Sequence, residues 1–210
     1  MTSIVRLLLL VNVVVFGFQQ LAADELLTHF ALWPVGQHLY PEIGVVAFEP
    51  WQLVTSAFLH GGVAHVALNM WALYMFGGMV ERVLGARLFL WLYFASVISA
   101  ALVQLVFVTL TIDNGVAPTV GASGGVFGVL LAFAALFPHN RVYIIPIPFA
   151  LKAWVMVAGY ALIELASGVF GTSQGVAHFA HLGGMLGAAI VLVAIGFRRR
   201  TQPPGELRGP

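Results

Sequence analysis

The chain contains no cysteine, so disulfides, thiolate nucleophiles and thiolate metal sites are excluded at the outset. Charge is almost as scarce. Only 8% of the 210 residues are Asp, Glu, Lys or Arg, against about 25% in an ordinary soluble domain. The few basic residues form no face or motif that would suit nucleic acid. What the chain has in their place is apolar: 60% of residues are hydrophobic and the mean hydropathy is +0.98. Such a chain cannot cover itself with a wettable surface, so its solvent is the bilayer. At roughly 20 residues per spanning helix, there is room for five to seven spans and no separate soluble domain.

Hydropathy marks six candidate spans, at about 4–22, 63–80, 87–110, 122–137, 151–170 and 177–197. The expected fold is an all-α, polytopic membrane bundle of six transmembrane helices. It fills residues 1–197 as one domain, and 198–210 form a short cytoplasmic tail, read as a disordered end. Arg6 followed by the apolar run from Leu7 to Ala23 has the outline of a signal peptide, but the run is long for one and reads as the first span. The longest connection, 23–62, carries Phe30, Leu32, Trp33, Phe48, Trp51 and Phe58. A loop so aromatic is expected to lie in the headgroup region.

Orientation follows from the basic residues. Arg6, Arg82, Arg87, Arg141, Lys152, Arg198, Arg199, Arg200 and Arg208 fall at the N-terminus, in loops two and four, or in the tail. The opposite loops hold Asp24, Glu25, Glu42, Glu49 and Asp113. Both termini are therefore expected to be cytoplasmic, in a multi-pass protein of the cytoplasmic (inner) membrane. An odd number of spans would spoil this segregation.

Polar groups set in apolar surroundings carry the function, because intramembrane ionisable groups are costly and usually have a purpose. Three clusters stand out. In His60-Gly-Gly-Val-Ala-His65-Val-Ala-Leu-Asn69, His65 and Asn69 are four apart and share a helical face. Alone, they could equally be interhelical hydrogen-bonding glue. In Gly121-Ala122-Ser123-Gly124-Gly125-Val126-Phe127-Gly128, glycines admit a backbone close to a serine at a helix N-terminus, where developing negative charge is favoured. Alone, Gly124 and Gly128 read as a helix-packing pair. In Ala177-His178-Phe179-Ala180-His181-Leu182-Gly183-Gly184, a small-residue stripe runs below two histidines, which alone could be structural. By the derived topology, segments two, four and six all descend from the outer face. The three clusters can thus share one depth, and independent glue residues have no reason to coincide.

A serine hydroxyl needs a neighbouring base, usually histidine. The stripe below His178 makes it the expected base for Ser123. Glu164 is expected to lie too deep in segment five to orient the imidazole, so a Ser–His dyad is predicted. Phe127 is expected to hold the imidazole by ring contact. His65, Asn69 and the Ser123 backbone N–H are expected to donate to an oxyanion. His181 is expected to be structural, beside the segment-four glycines or a buried water.

These clusters, in order and with Glu81-Arg82-Val-Leu-Gly85 after segment two, resemble the rhomboid family of intramembrane serine proteases from about Trp51 to Gly187. The resemblance implies Ser123 as nucleophile, His178 as general base, and His65 with Asn69 at the oxyanion hole. Gly121, Gly124, Phe127 and His181 would support them. It also implies a water-filled cavity open to the outside, a first loop partly in the membrane, and segment five as a movable gate. The compact six-span form resembles prokaryotic members. The expected activity is cleavage of single-span membrane proteins near the outer membrane boundary, in the lipid bilayer and without cofactor or metal. Two departures stand out: Trp51-Gln52 where the family often has Trp-Arg, and Phe127 where it often has Tyr. Two other readings are a non-catalytic relative that binds membrane proteins, and a metalloprotease or metal transporter built on His60, His65, His178 and His181. The intact Ser123 and His178 argue against the first. The second lacks an HExxH motif and an accompanying carboxylate.

Overall fold

A helix that is apolar all round must be buried or face lipid, and the longest helix here does both. A computed structural model of the chain describes residues 2–40, 43–111, 117–143, 148–171 and 177–201, with side chains to 196 at the C-terminal end. Glu42, Asp113, Arg208 and the side chains of Arg198, Arg199 and Arg200 lie outside the described residues. Helix α6 (Ala86–Leu110) turns Phe89, Leu92, Tyr93 and Val97 into the core and leaves Trp91, Leu102 and Val106 exposed.

The protein is a multi-pass helical bundle. Besides α6, its main helices are α1 (Ser3–Gln19), α4 (Val63–Ala72), α5 (Gly78–Leu84), α7 (Ser123–Leu136), α8 (Ala153–Phe170) and α9 (His178–Thr201). A π-helical segment, Leu73–Gly77, joins α4 to α5, making one unit over Val63–Leu84. That unit, α6, α8 and the His178–Gly196 part of α9 are long and apolar enough to cross a membrane, while α1 and α7 are shorter apolar helices. All six segments expected from hydropathy are helical. The second runs past 80 because Glu81, which marks the end of the apolar run, is 4% exposed and acts as a cap. Its carboxylate accepts the backbone N–H groups of Ile4 and Val5 at 3.0 and 2.9 Å. Those donors belong to the first turn of α1, which has no intrahelical acceptors for them. The other end of α1 is tied as firmly. The Gln19 side chain donates to the His60 carbonyl at 2.8 Å and accepts the His60 N–H at 2.9 Å.

The first loop folds rather than wanders. It contains α2 (Ala23–Phe30), the antiparallel hairpin β1 (Gln37–Tyr40) and β2 (Gly44–Ala47), and α3 (Gln52–Thr55). Its aromatic residues divide in a way that composition did not foretell. Trp33 is fully buried within the protein, whereas Phe30 and Trp51 are exposed. Leu32 pairs through its backbone with Thr119, tying this loop to the strand-like run that leads into α7. A short antiparallel pair, β3 (Arg141–Val142) with β4 (Leu151–Lys152), joins α7 to α8.

The centre of the bundle is the crossing of α6, α7 and α9, and small residues make it possible. A Cβ on Gly184 would overlap the carbonyl of Gly124. One on Gly128 would overlap the Ser96 side chain, and one on Gly183 would sit 2.9 Å from the Ser99 carbonyl. The backbones of α7 and α9 are thus in direct contact, which brings the N-terminal ends of both helices together.

Candidate active site

Ser123 is the first residue of α7. The chain enters that helix through Gly121 at φ +129°, a conformation that L side chains rarely adopt, and the Gly121 N–H is held by the Ser56 carbonyl at 2.9 Å. The first α7 bond of this turn runs from the Val126 N–H to the Ala122 carbonyl at 3.0 Å. The donors before it, on Ser123, Gly124 and Gly125, lie ahead of any intrahelical acceptor.

The histidine on Ser123 is His181. Its Nε2 lies 2.8 Å from the Ser123 Oγ, and Phe127 stacks face to face on its ring, with centroids 4.2 Å apart and planes 6° from parallel. Gly184, which touches Gly124, is three residues beyond His181 and so on the same face of α9. The expectation that His178 would approach Ser123 is therefore corrected by the geometry. His178 sits one turn nearer the helix start and turns its Nδ1 to Glu164 Oε2, at 2.6 Å. Its Nε2 is buried without a partner among the described residues. The small-residue stripe had pointed to the correct helix. The residues that share the stripe's face, Gly184 at three and Ala188 at seven from His181, were the signal for the histidine that meets Ser123.

Glu164 is also not too deep. The same Oε2 lies 2.9 Å from His181 Nδ1. A carboxylate oxygen this close to Nδ1, though off the line of a hydrogen bond, favours the neutral His181 tautomer with its proton on Nδ1. Nε2 is then the acceptor for the serine hydroxyl. His178, His181 and Glu164 are all largely buried, at 8%, 9% and 9% exposure. A carboxylate thus does accompany the histidines.

From α4, His65 reaches the turn that presents Ser123. A Cβ on Gly121 would lie 2.8 Å from His65 Nε2 and 3.7 Å from the Ser123 Oγ, so His65 lies over the turn that presents the serine. Its Nδ1 accepts the Gly61 N–H at 3.3 Å. Asn69, one turn beyond His65 on the same face of α4, is buried, and its Nδ2 has no partner among the described residues, which makes it a costly orphaned donor. His60 packs edge-on against His65 with centroids 5.1 Å apart, and its Nε2 accepts the Ala122 N–H at 3.5 Å. Burial, with the neighbouring His65 second, pushes its pKa from 6.5 down to about 4. His60 is therefore a neutral acceptor that holds the approach to Ser123. A cavity beside Ser123 is lined by Ser56, Ala100, Gln104, Thr119, Gly124 and Ala180.

Residues 47–199 match the family described as Rhomboid domain. The chain is 34% identical over 153 residues to Rhomboid protein 1, mitochondrial, of Saccharomyces cerevisiae, covering 73% of this chain and 42% of that protein. It is 32% identical over 151 residues to Rhomboid protease GluP of Bacillus subtilis, covering 70% and 26%. It is 33% identical over 135 residues to Presenilin-associated rhomboid-like protein A, mitochondrial, of Danio rerio, covering 64% and 34%. The chain spans less than half the length of these curated relatives.

Proposed function

We propose, from the premise that this chain belongs to the rhomboid family, that it is an intramembrane serine endopeptidase. Ser123 is the nucleophile and His181 is its general base. The observation that carries this reading is the 2.8 Å approach of His181 Nε2 to the Ser123 Oγ, on an imidazole held flat by Phe127. A hydroxyl and a correctly presented nitrogen acceptor are the minimum needed for nucleophilic acyl transfer.

The steps follow from the residues. The Ser123 oxygen bonds to the scissile carbonyl carbon as its proton passes to His181 Nε2. The carbonyl π pair moves onto oxygen and makes an oxyanion. Donors suited to it are the Ser123 backbone N–H, Asn69 Nδ2 and His65. Collapse re-forms the carbonyl and breaks the C–N bond, and the leaving amine takes the proton from Nε2. Water then attacks the acyl carbon, giving one proton to His181 Nε2; collapse of this second oxyanion breaks the bond to the Ser123 oxygen, which takes the proton back from Nε2 as the carboxylic acid leaves.

The length of α7 supports hydrolysis within the membrane. Helix α7 has 14 residues, so it rises about 21 Å, against a hydrocarbon core of about 30 Å. With its inner end at the inner interface, Ser123 lies roughly 9 Å below the outer one. Under the positive-inside rule the distribution of the basic residues supports cytoplasmic termini and a six-span bundle whose site opens outward. Substrates are single-span membrane proteins cut near their outer boundary. Helix-breaking residues favour cleavage there, because a peptide bond inside a helix is shielded from attack.

The test compares wild type with Ser123→Ala on a tagged single-span substrate in liposomes, with and without chelator. Cleavage that survives chelator and vanishes in the variant is the expected result. A variant that cuts as well as wild type overturns the assignment.

A further inference from the structure

The cluster where α8 meets α9 is larger than a serine–histidine pair requires. Glu164 lies well inside an apolar helix, where an ionisable side chain is costly unless it is partnered. Its partners are two imidazoles, both through the same oxygen: His178 Nδ1 at 2.6 Å and His181 Nδ1 at 2.9 Å. The bond to His178 is directed, and His178 has no other side-chain partner among the described residues. The approach to His181 is close but off the line of a hydrogen bond.

We propose that Glu164 is a positioning residue for His181, so that Ser123, His181 and Glu164 act as a serine–histidine–carboxylate set drawn from three helices, with His178 as the anchor of the carboxylate. The proposal rests on the assignment of Ser123 and His181 above. Three contacts surround the His181 ring: Phe127 on its face, Ser123 at Nε2, and Glu164 at Nδ1. The carboxylate favours the tautomer with its proton on Nδ1, which leaves Nε2 free to accept. When the serine proton arrives at Nε2, the ring becomes a cation with a carboxylate oxygen beside it. Because the Nδ1 approach is off-line, Glu164 acts more through its charge than through a directed bond. His178 keeps that charge in place by occupying the same oxygen from the other side.

The same three side chains also form a group that could hold a cation. Their nitrogen–oxygen separations of 2.6 and 2.9 Å are hydrogen-bond lengths. Ligands of one tetrahedral zinc stand roughly 3.3 Å apart. The geometry therefore points to a proton-bridged cluster.

The experiment measures kcat and KM for a single-span substrate, the rate at which a fluorophosphonate labels Ser123, and the thermal midpoint. It does so for wild type, Glu164→Gln, Glu164→Asp and His178→Ala in one detergent. Glu164→Gln keeps the shape and loses the charge. It is expected to lower kcat and the labelling rate about 100-fold, with KM within about threefold and the midpoint little changed. Glu164→Asp restores charge at shorter reach and is expected to recover about tenfold of that loss. A Glu164→Gln enzyme within twofold of wild type overturns the proposal, and so does a Glu164→Asp enzyme as slow as Glu164→Gln. Should Glu164→Gln fail to fold, His178→Ala decides: about a tenfold fall in kcat supports the anchor, and an unchanged kcat overturns it. A wild type that neither cleaves nor labels removes the serine hydrolase reading and this proposal together. An active wild type matched by Glu164→Gln removes the carboxylate's role alone.

Discussion

Replacing the two histidines of α9 one at a time separates the base from its neighbour. His181 Nε2 is 2.8 Å from the Ser123 Oγ, so His181→Ala removes the acceptor for the serine proton. What remains is binding and oxyanion stabilisation, and in serine hydrolases the loss of such a base costs about 10⁴-fold or more in kcat. His178→Ala removes a 2.6 Å hydrogen bond to Glu164. A bond to a charged group contributes about 1.5–3 kcal/mol. Only the share transmitted through Glu164 to His181 reaches the rate, so about tenfold is expected, equivalent to about 1.4 kcal/mol. Single-turnover cleavage of a tagged single-span protein in liposomes measures both without interference from product release. Labelling of Ser123 by a fluorophosphonate gives the same comparison without a protein substrate. The reasoning is refuted if His178→Ala is the silent enzyme and His181→Ala retains activity within an order of magnitude of wild type.

Two further outcomes follow from packing and from titration. Gly184→Ala is expected to lower stability by about 1–3 kcal/mol or more, because the added carbon overlaps the Gly124 carbonyl and backbone there has nowhere to move; Gly196→Ala, with nothing within 4 Å, is the control that should leave the thermal midpoint unchanged. His60 has its pKa lowered from 6.5 to about 4 by burial and by His65, so its neutral form stabilises the fold fully above pH 6.5, and that contribution is lost as pH falls from 6.5 through 4, by up to about 3 kcal/mol. The thermal midpoint in detergent should fall over that window for wild type and fall less for His60→Gln, and equal pH dependence in the two would count against it.

The spanning helices were legible because their apolar runs are long and their ends are marked. The expected 87–110 is found as Ala86–Leu110, and 122–137 as Ser123–Leu136. The exception, the second segment, is instructive. Glu81 and Arg82 look like the edge of the membrane in a hydropathy profile. Yet Glu81 is turned inward to close the N-terminus of α1, a pairing between residues nearly 80 positions apart that no local pattern reports. The three clusters were legible as clusters, and the structure brings His65, Ser123 and His181, one from each, to the same turn; within each cluster the sequence said less. His178 and His181 are both flanked by alanine and lie within one turn, so composition does not separate them. What separates them is which face of α9 meets Gly124, a property of the helix crossing. Glu164 was set aside on depth for the same reason, since its height relative to the start of α9 depends on how α8 and α9 are staggered.

The two departures from the family's usual residues have different consequences, and hydrogen-bond chemistry explains both. Gln52 is fully buried. Its Oε1 accepts the Trp33 N–H at 3.2 Å while its Nε2 donates to the Ala47 carbonyl at 3.1 Å and the His29 carbonyl at 3.5 Å. An arginine has donors only and could satisfy the two carbonyls but not the Trp33 N–H. The first loop is therefore anchored here by a neutral amide that works in both directions, and its anchoring does not depend on a charge. At position 127 the change runs the other way, because nothing needs replacing. A ring stacked 4.2 Å from His181 with planes 6° apart acts through its face, which Phe and Tyr share, while Ser123 bonds Nε2 and the Glu164 carboxylate stands 2.9 Å from Nδ1, off the line of a hydrogen bond. The orientation of the base thus rests on the charge of a carboxylate from α8 and the face of a ring from α7, and the stacking that Phe127 supplies needs no hydroxyl.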